Sequence, residues 1–199
     1  MKNLPVIILG AGGHSRVLID TLLLDSTEIL GMTDVNLERQ PFLGVPLLGN
    51  DLIVERYSPE KIQLINGIGS ISQPYIRQKT FQKFKDLGFI FRNVIHPSSV
   101  IASDVSFGEG VQVMAGVVIQ SGCTIGDNTI VNTSTSLDHE CKIGTHVHLA
   151  PGVVLSGNVC VGELCHIGVG VKIVQSIRVD AGSLVKAGTI VTSNINSSA

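Results

Sequence analysis

VIASDV SFGEGV QVMAGV VIQSGC TIGDNT IVNTST SLDHEC KIGTHV HLAPGV VLSGNV CVGELC HIGVGV KIVQSI RVDAGS LVKAGT IVTSNI: residues 100–195 divide into sixteen six-residue words with nothing inserted between them. The second letter of every word is apolar, from Ile101 and Phe107 to Val185 and Val191, and the sixth is always Val, Cys, Thr, Ser or Ile. A strand alternates every two residues and a helix turns every 3.6, so a fixed period of six belongs to a solenoid. Each word supplies one short strand and one turn. Three words close a triangular coil whose second and sixth side chains point inward. Equivalent letters then stack 18 residues apart, and each coil covers the apolar face of the next, building a core that no single word has. Gly, Asn, Asp and Ser gather at the turn letters, where unusual backbone angles cost them least. The stretch predicts a parallel β-helix.

Outside this region the composition changes. Seven of the eight Phe and Tyr residues and ten of the fourteen Lys and Arg residues precede His96. Two domains are therefore expected, 1–95 and 96–199, with His96-Pro97 as the hinge, since proline is a natural stop. In the first, Leu4 to Leu9 reads as a strand running into the turn Gly10-Ala11-Gly12-Gly13-His14-Ser15. A helix follows over Arg16 to Leu24, then a second strand over Glu28 to Thr33 that ends at Asp34. This is half of a nucleotide-binding βαβ unit, an α/β Rossmann-like arrangement in which glycines let backbone N–H groups approach a phosphate or sugar. Ser15 stands where a dinucleotide fingerprint has its third glycine, which argues against NAD. Asp34 is placed either to accept hydrogen bonds from a ribose or base or to cap a turn. Pro41 to Asp51 reads as loop or short edge strand, and Ile62 to Ile68 as a buried strand. A helix over Gln73 to Leu87 is expected to turn Ile76, Phe81 and Phe84 to the sheet and Arg77, Lys79, Lys83 and Lys85 to solvent. Phe89 to Ile95 would be the last strand.

Several classes are disfavoured. A formal net charge of -2 and the lack of any basic run do not suit a nucleic-acid surface, which needs clustered cations. No apolar run approaches the roughly 20 residues that span a bilayer. Pro5 interrupts the short apolar run at the start, so the opening reads as strand and turn instead of a signal peptide. Cys123, Cys141 and Cys165 fall on sixth letters and Cys160 on a first letter, without a CxxC pair. They read as reduced core thiols of a cytoplasmic protein.

The histidines carry the chemistry. His139, fourth letter of SLDHEC, projects from a corner of the coil between Asp138 and Glu140. An imidazole beside a carboxylate is held in one tautomer and suits proton removal near neutral pH. His148 and His166 are first letters exactly one 18-residue coil apart and should stack on one face. They read as a ligand groove at a subunit interface, as an interface ladder, or as a zinc site completed by a neighbouring chain's histidine. His146 lies on a different face.

The motifs ILGAGGHSRV, MTDV, GIGS, HPSSVI and NTSTSLDHECKIGTHVHLAPGV together resemble the bacterial sugar acyltransferases of the hexapeptide left-handed β-helix superfamily. The branch is the NeuD/PglD type, which acetylates nucleotide-linked amino sugars or sialic acids. The resemblance implies an acetyl-CoA-dependent acetyltransferase without a metal and a homotrimer with acetyl-CoA between adjacent chains. The acceptor, a nucleotide sugar or sialic-acid-type sugar, would lie on the N-terminal domain. On that resemblance His139 is the general base and Glu140 the carboxylate that makes it a stronger one. His148, Val169 and Ala187 would contact acetyl-CoA, and Gly12, Gly13, His14, Asp34 and Gly69 would face the acceptor. Two positions depart from the pattern: Val35 stands where a second acidic residue often grips the nucleotide, and the tail TSNINSSA lacks the Gly-x-Pro-Ala ending.

Overall fold

The computed structural model describes residues 4–70 and 74–196. Backbone contacts divide the chain into two units, Met1–Gly69 with Ile76–Val94 and Ser70–Tyr75 with Ile95–Ala199.

The first unit is built on four parallel strands. Strand β1 (Val6–Leu9) leads through helix α1 (Gly13–Leu24) to β2 (Ile29–Thr33), followed by β3 (Leu47–Gly49) and, after a 3-10 helix over Asp51–Arg56, by β4 (Gln63–Asn66) and helix α2 (Tyr75–Asp86). The sheet order is β3-β2-β1-β4, so the chain leaves β1 on one side and returns on the other. The carboxyl ends of β1 and β4 therefore flank a topological switch point, where open α/β sheets bind ligands. Strand β1 is fully buried, as its unbroken Val-Ile-Ile-Leu run requires of a central parallel strand. One side of the sheet is filled by Val54, Ile62, Phe81, Phe84, Phe89 and Phe91, with the Phe81 and Phe91 rings 4.5 Å apart.

Two expectations fail here. Arg77, taken as solvated, is 2 % exposed, while Ile76 is 72 % exposed; the start of α2 is rotated from the apolar pattern because Arg77 has backbone to serve. Its Nη1 donates to the carbonyls of Asn66 (2.7 Å) and Ile68 (2.8 Å), and Asn66 Nδ2 donates back to the Arg77 carbonyl at 2.9 Å. Burial lowers the Arg77 pKa, but a guanidinium starts high enough to stay charged. The segment Phe89 to Ile95 is not one strand: Phe91 makes a single parallel bridge to Leu64, and Val94–Ile95 heads a sheet of the solenoid. Gln73, the expected start of α2, lies outside the described residues.

The second unit is the solenoid. Its two-residue strands stack in register 18 residues apart as three parallel sheets. One face carries Ser106, Thr124, Lys142, Cys160 and Arg178 at the first letters, a second Val100, Val118, Ser136, Val154, Lys172 and Ile190. The third, called the histidine face below, carries Gln112, Ile130, His148, His166 and Leu184. Every second letter from Val113 to Val191 is buried, as are the sixth letters from Val111 to Ser183. At about 1.5 to 3 kcal/mol for each fully buried aliphatic side chain, this column is the main stabilising term. Thr129, at a sixth letter, donates to the Gly144 carbonyl at 2.8 Å, so its buried hydroxyl is satisfied. The fifth letter takes a left-handed φ in fourteen successive words, from Gly110 to Gly188, including the non-glycine residues Glu140, His146 and Leu164. Its amide donates to the fourth-letter carbonyl one coil back, as in Glu140 N to Ser121 O and Asn158 N to His139 O. That ladder holds the corners and repays an angle that costs an L-residue about 1 kcal/mol or more.

Candidate active site

The corner at residues 138–141 presents a half-exposed imidazole held by one carboxylate. His139 Nδ1 lies 3.1 Å from Glu140 Oε2. A carboxylate only accepts, so Nδ1 carries the proton and Nε2 keeps its lone pair. Asp138 does not share the ring: its Oδ1 accepts from the His139 backbone N–H at 2.8 Å. Glu140 itself takes a left-handed φ of 60°. On the next coil the ring rests against Gly157, the fourth letter 18 residues on. A Cβ built there would stand 2.4 Å from Nε2 and 2.5 Å from Cε1 of His139. Gly157 escaped the sequence reading, although its spacing from His139 was the signal that would have found it.

The nearby thiol is not a nucleophile. Cys141 is buried, and burial pushes its pKa up to about 12; burial raises those of Cys123 and Cys165 as well. Among the described residues no group of three or more His, Cys, Asp or Glu side chains is placed to hold a metal ion.

His148 and His166 stack in register on the histidine face, at 7 % and 8 % exposure. Val169 and Ala187, both exposed, are fourth letters of successive coils, linked by the Gly188 amide donating to the Val169 carbonyl at 2.8 Å. They sit where the histidine face turns toward the second face. His139 sits where the second face turns toward the first. Within one chain the two groups occupy different corners.

In the first unit the expected acceptor residues gather at the switch point. Gly10 needs its φ of 97°, whereas a Cβ on Gly12 or Gly13 would meet nothing within 4 Å beyond the adjoining chain. The fold does not demand glycine at those two positions. Ser15 donates toward the carbonyls of Gly10 (2.6 Å) and Gly67 (3.0 Å) and ties the ends of β1 and β4 together. A Cβ on Gly67 would stand 2.2 Å from that hydroxyl. Asp34 spends its carboxylate locally, accepting from the Ala11 amide at 2.9 Å and the Asn36 amide at 2.8 Å, with Arg39 Nε 3.6 Å away. His14 lies over Gly69, whose added Cβ would be 3.2 Å from the His14 Cβ. Two concavities flank the turn. One, of about 360 Å³, is lined by Gly12, Gly13, Arg16, Arg39 and Phe42. The other, of about 270 Å³, is lined by Gly10, Asp34, Val35, Ile68 and Ile76. Arg16 stacks on Phe42 with its Cζ 4.4 Å from the ring centre.

Comparison with known proteins agrees with both units. Residues 5–84 match the PglD N-terminal domain family, and residues 104–139 match the bacterial transferase hexapeptide (six repeats) family. A search of curated proteins returned no match. Among solved structures, a histidine-to-asparagine variant of perosamine N-acetyltransferase from Caulobacter crescentus, in complex with CoA and GDP-perosamine, is 36% identical. It superposes with a TM-score of 0.90 over 96% of this chain and 90% of that one. The acetyltransferase domain of PglB from Neisseria gonorrhoeae FA1090, in complex with acetyl coenzyme A, is 31% identical, with a TM-score of 0.90 over 96% of this chain and 92% of that one. WeeI from Acinetobacter baumannii AYE, at 22% identity and a TM-score of 0.76, shares the fold. The chain thus belongs to the hexapeptide-repeat, left-handed β-helix acyltransferases that carry a PglD-type N-terminal domain.

Proposed function

We propose that this protein transfers the acetyl group of acetyl-CoA to the amine of a nucleotide-linked amino sugar, with His139 as general base. The observation that carries the reading is the His139–Glu140 pair, whose Nδ1 to Oε2 contact of 3.1 Å leaves Nε2 as the basic atom. The acceptor amine attacks the thioester carbonyl while Nε2 takes its proton. The tetrahedral intermediate then collapses, breaking the C–S bond, and the imidazolium returns the proton to the leaving CoA sulfur. No acyl-enzyme is needed, and the buried Cys141 offers none. Glu140 holds the ring and balances the imidazolium charge. Direct transfer requires both substrates to be held together, which is where most of the rate gain originates.

On this reading Gly12, Gly13, His14 and Gly69 line the acceptor's seat in the first unit, and Asp34 shapes it through the Ala11 amide. Val169 and Ala187 receive the CoA arm. Because they stand at a different corner from His139 in one chain, a complete site takes its base from one protomer and its co-substrate groove from the next, which a cyclic homotrimer supplies three times. The setting is cytoplasmic synthesis of a bacterial surface-glycan precursor; among the described residues no helix is long and apolar enough to cross a membrane.

The test is thiol release from acetyl-CoA over a panel of GDP-, UDP- and CMP-linked amino sugars and free sialic acids, repeated with His139→Ala. Turnover on an amino sugar that falls at least about 100-fold in the variant, the scale of general-base catalysis, supports the reading. Turnover confined to sialic acids would make the enzyme an O-acetyltransferase, and an undiminished variant would remove His139 from the mechanism.

A further inference from the structure

The histidine face holds a hydrogen-bond network that the reaction above does not use. The rings of His148 and His166 are 4.9 Å apart and nearly perpendicular. Ser70, a member of the same unit, reaches both. Its Oγ lies 2.9 Å from His148 Nδ1 and 3.3 Å from His166 Nδ1, and its carbonyl oxygen lies 3.0 Å from His148 Nδ1. On the other side of the ring, His148 Nε2 is 3.1 Å from Asn132 Nδ2.

The roles of these atoms fix the protons. A carbonyl only accepts, so His148 Nδ1 carries a hydrogen. Asn132 Oδ1 is taken by the Thr133 amide at 2.8 Å, which turns the Asn132 NH2 group toward His148 Nε2 and makes that atom an acceptor. His148 is therefore neutral, with both ring nitrogens engaged inside the chain. Ser70 Oγ accepts from His148 Nδ1, and its one hydroxyl proton goes to His166 Nδ1. With Nδ1 accepting from that hydroxyl, a neutral His166 has its proton on Nε2. Among the described residues no hydrogen bond is made by that nitrogen, and His166 keeps 8 % of its surface exposed. The ring opens the word HIGVGV, whose fourth letter is Val169, and so stands on the strand that leads into the corner assigned to the CoA arm.

We propose that His166 presents Nε2–H as a fixed, neutral hydrogen-bond donor to an amide or thioester carbonyl of the acyl-CoA, with Ser70 and His148 as positioning residues that set its tautomer. This rests on the reading of the chain as an acyl-CoA enzyme. A neutral donor of set direction suits a carbonyl oxygen better than a phosphate, which draws cations.

The experiment has two readouts. Nitrogen-15 NMR of the histidine-labelled protein should show His166 protonated at Nε2 and bare at Nδ1, and Ser70→Ala should let the two tautomers exchange. Calorimetric titration with CoA should give a Kd raised roughly three- to tenfold in His166→Phe, the worth of one neutral hydrogen bond. His166→Gln, which keeps a donor, should lie within about twofold of the parent, and the acceptor KM should stay unchanged. A His166 found protonated at Nδ1 overturns the proposal, as does a His166→Phe that is folded and binds CoA like the parent. If His166→Phe does not fold, His166→Gln and the parent's NMR spectrum decide. Failure of the parent protein to bind CoA at all would sink the acyl-CoA reading too, whereas parent-like binding by His166→Phe sinks only the assignment of His166.

Discussion

Gly157→Ala is the sharpest test of the His139 corner. The new methyl carbon would stand 2.4 Å from Nε2 and 2.5 Å from Cε1 of His139, against the roughly 3.4 Å of an ordinary contact. The imidazole must therefore retreat by about 1 Å, a displacement on the scale that costs around 100-fold in rate. The fold should hardly notice. Half of the His139 side chain is exposed, so the ring has solvent to move into. Gly157 is not among the left-handed glycines, and Gly→Ala at a compatible angle stabilises by about 0.4–1 kcal/mol through the unfolded chain. The expected result is a kcat about 100-fold lower in the thiol-release assay, with little change in KM for either substrate and a thermal midpoint at or slightly above the parent's. Activity within about threefold of the parent, in a protein that melts normally, would refute the idea that the imidazole is seated on that glycine. A collapse of the melting temperature would show that Gly157 serves the coil and not the ring.

Four further outcomes follow from the same geometry. Glu140→Gly relieves a left-handed residue, so stability should hold or rise by up to about 1 kcal/mol in chemical denaturation while kcat falls; Glu140→Gln should retain the strain and lose activity too. Gly13→Ala should leave the melting curve unchanged but raise the acceptor KM in steady-state kinetics, because an added Cβ would meet nothing within 4 Å beyond its chain neighbours and its own helix backbone. Alkylation of the folded protein at pH 8 should give one adduct by mass spectrometry, at Cys160, since Cys123, Cys141 and Cys165 are buried. Burial lowers the His166 pKa, so the unfolded chain binds the extra proton first. That contribution to stability is full above the unfolded value of about 6.5 and is lost as pH falls through the lower folded pKa. Denaturation midpoints measured from pH 8 to 5 should slope less in His166→Gln.

The period of six determined the solenoid by itself, because inward and outward side chains in a strand alternate locally and the turn letter recurs at fixed spacing. Any relation that is a multiple of that spacing was legible in the same way: His148 above His166, Val169 above Ala187, and, for a reader who looked, Gly157 above His139. The glycine turn after a β-branched run likewise announced the switch point. Tertiary structure decided the rest. Which carboxylate holds the imidazole was decided by side-chain placement at the corner, where Glu140 Oε2 meets His139 Nδ1 while Asp138 Oδ1 accepts from the His139 amide. The exchange of Arg77 for Ile76 in the interior came from two carbonyls, at Asn66 and Ile68, that needed a donor. Ser70 meets the rings of His148 and His166 from 78 and 96 residues away in the chain. Periodicity records what each residue does relative to its own coil; a hydrogen bond between distant segments depends on where the folded chain returns, and that is fixed only when the backbone closes.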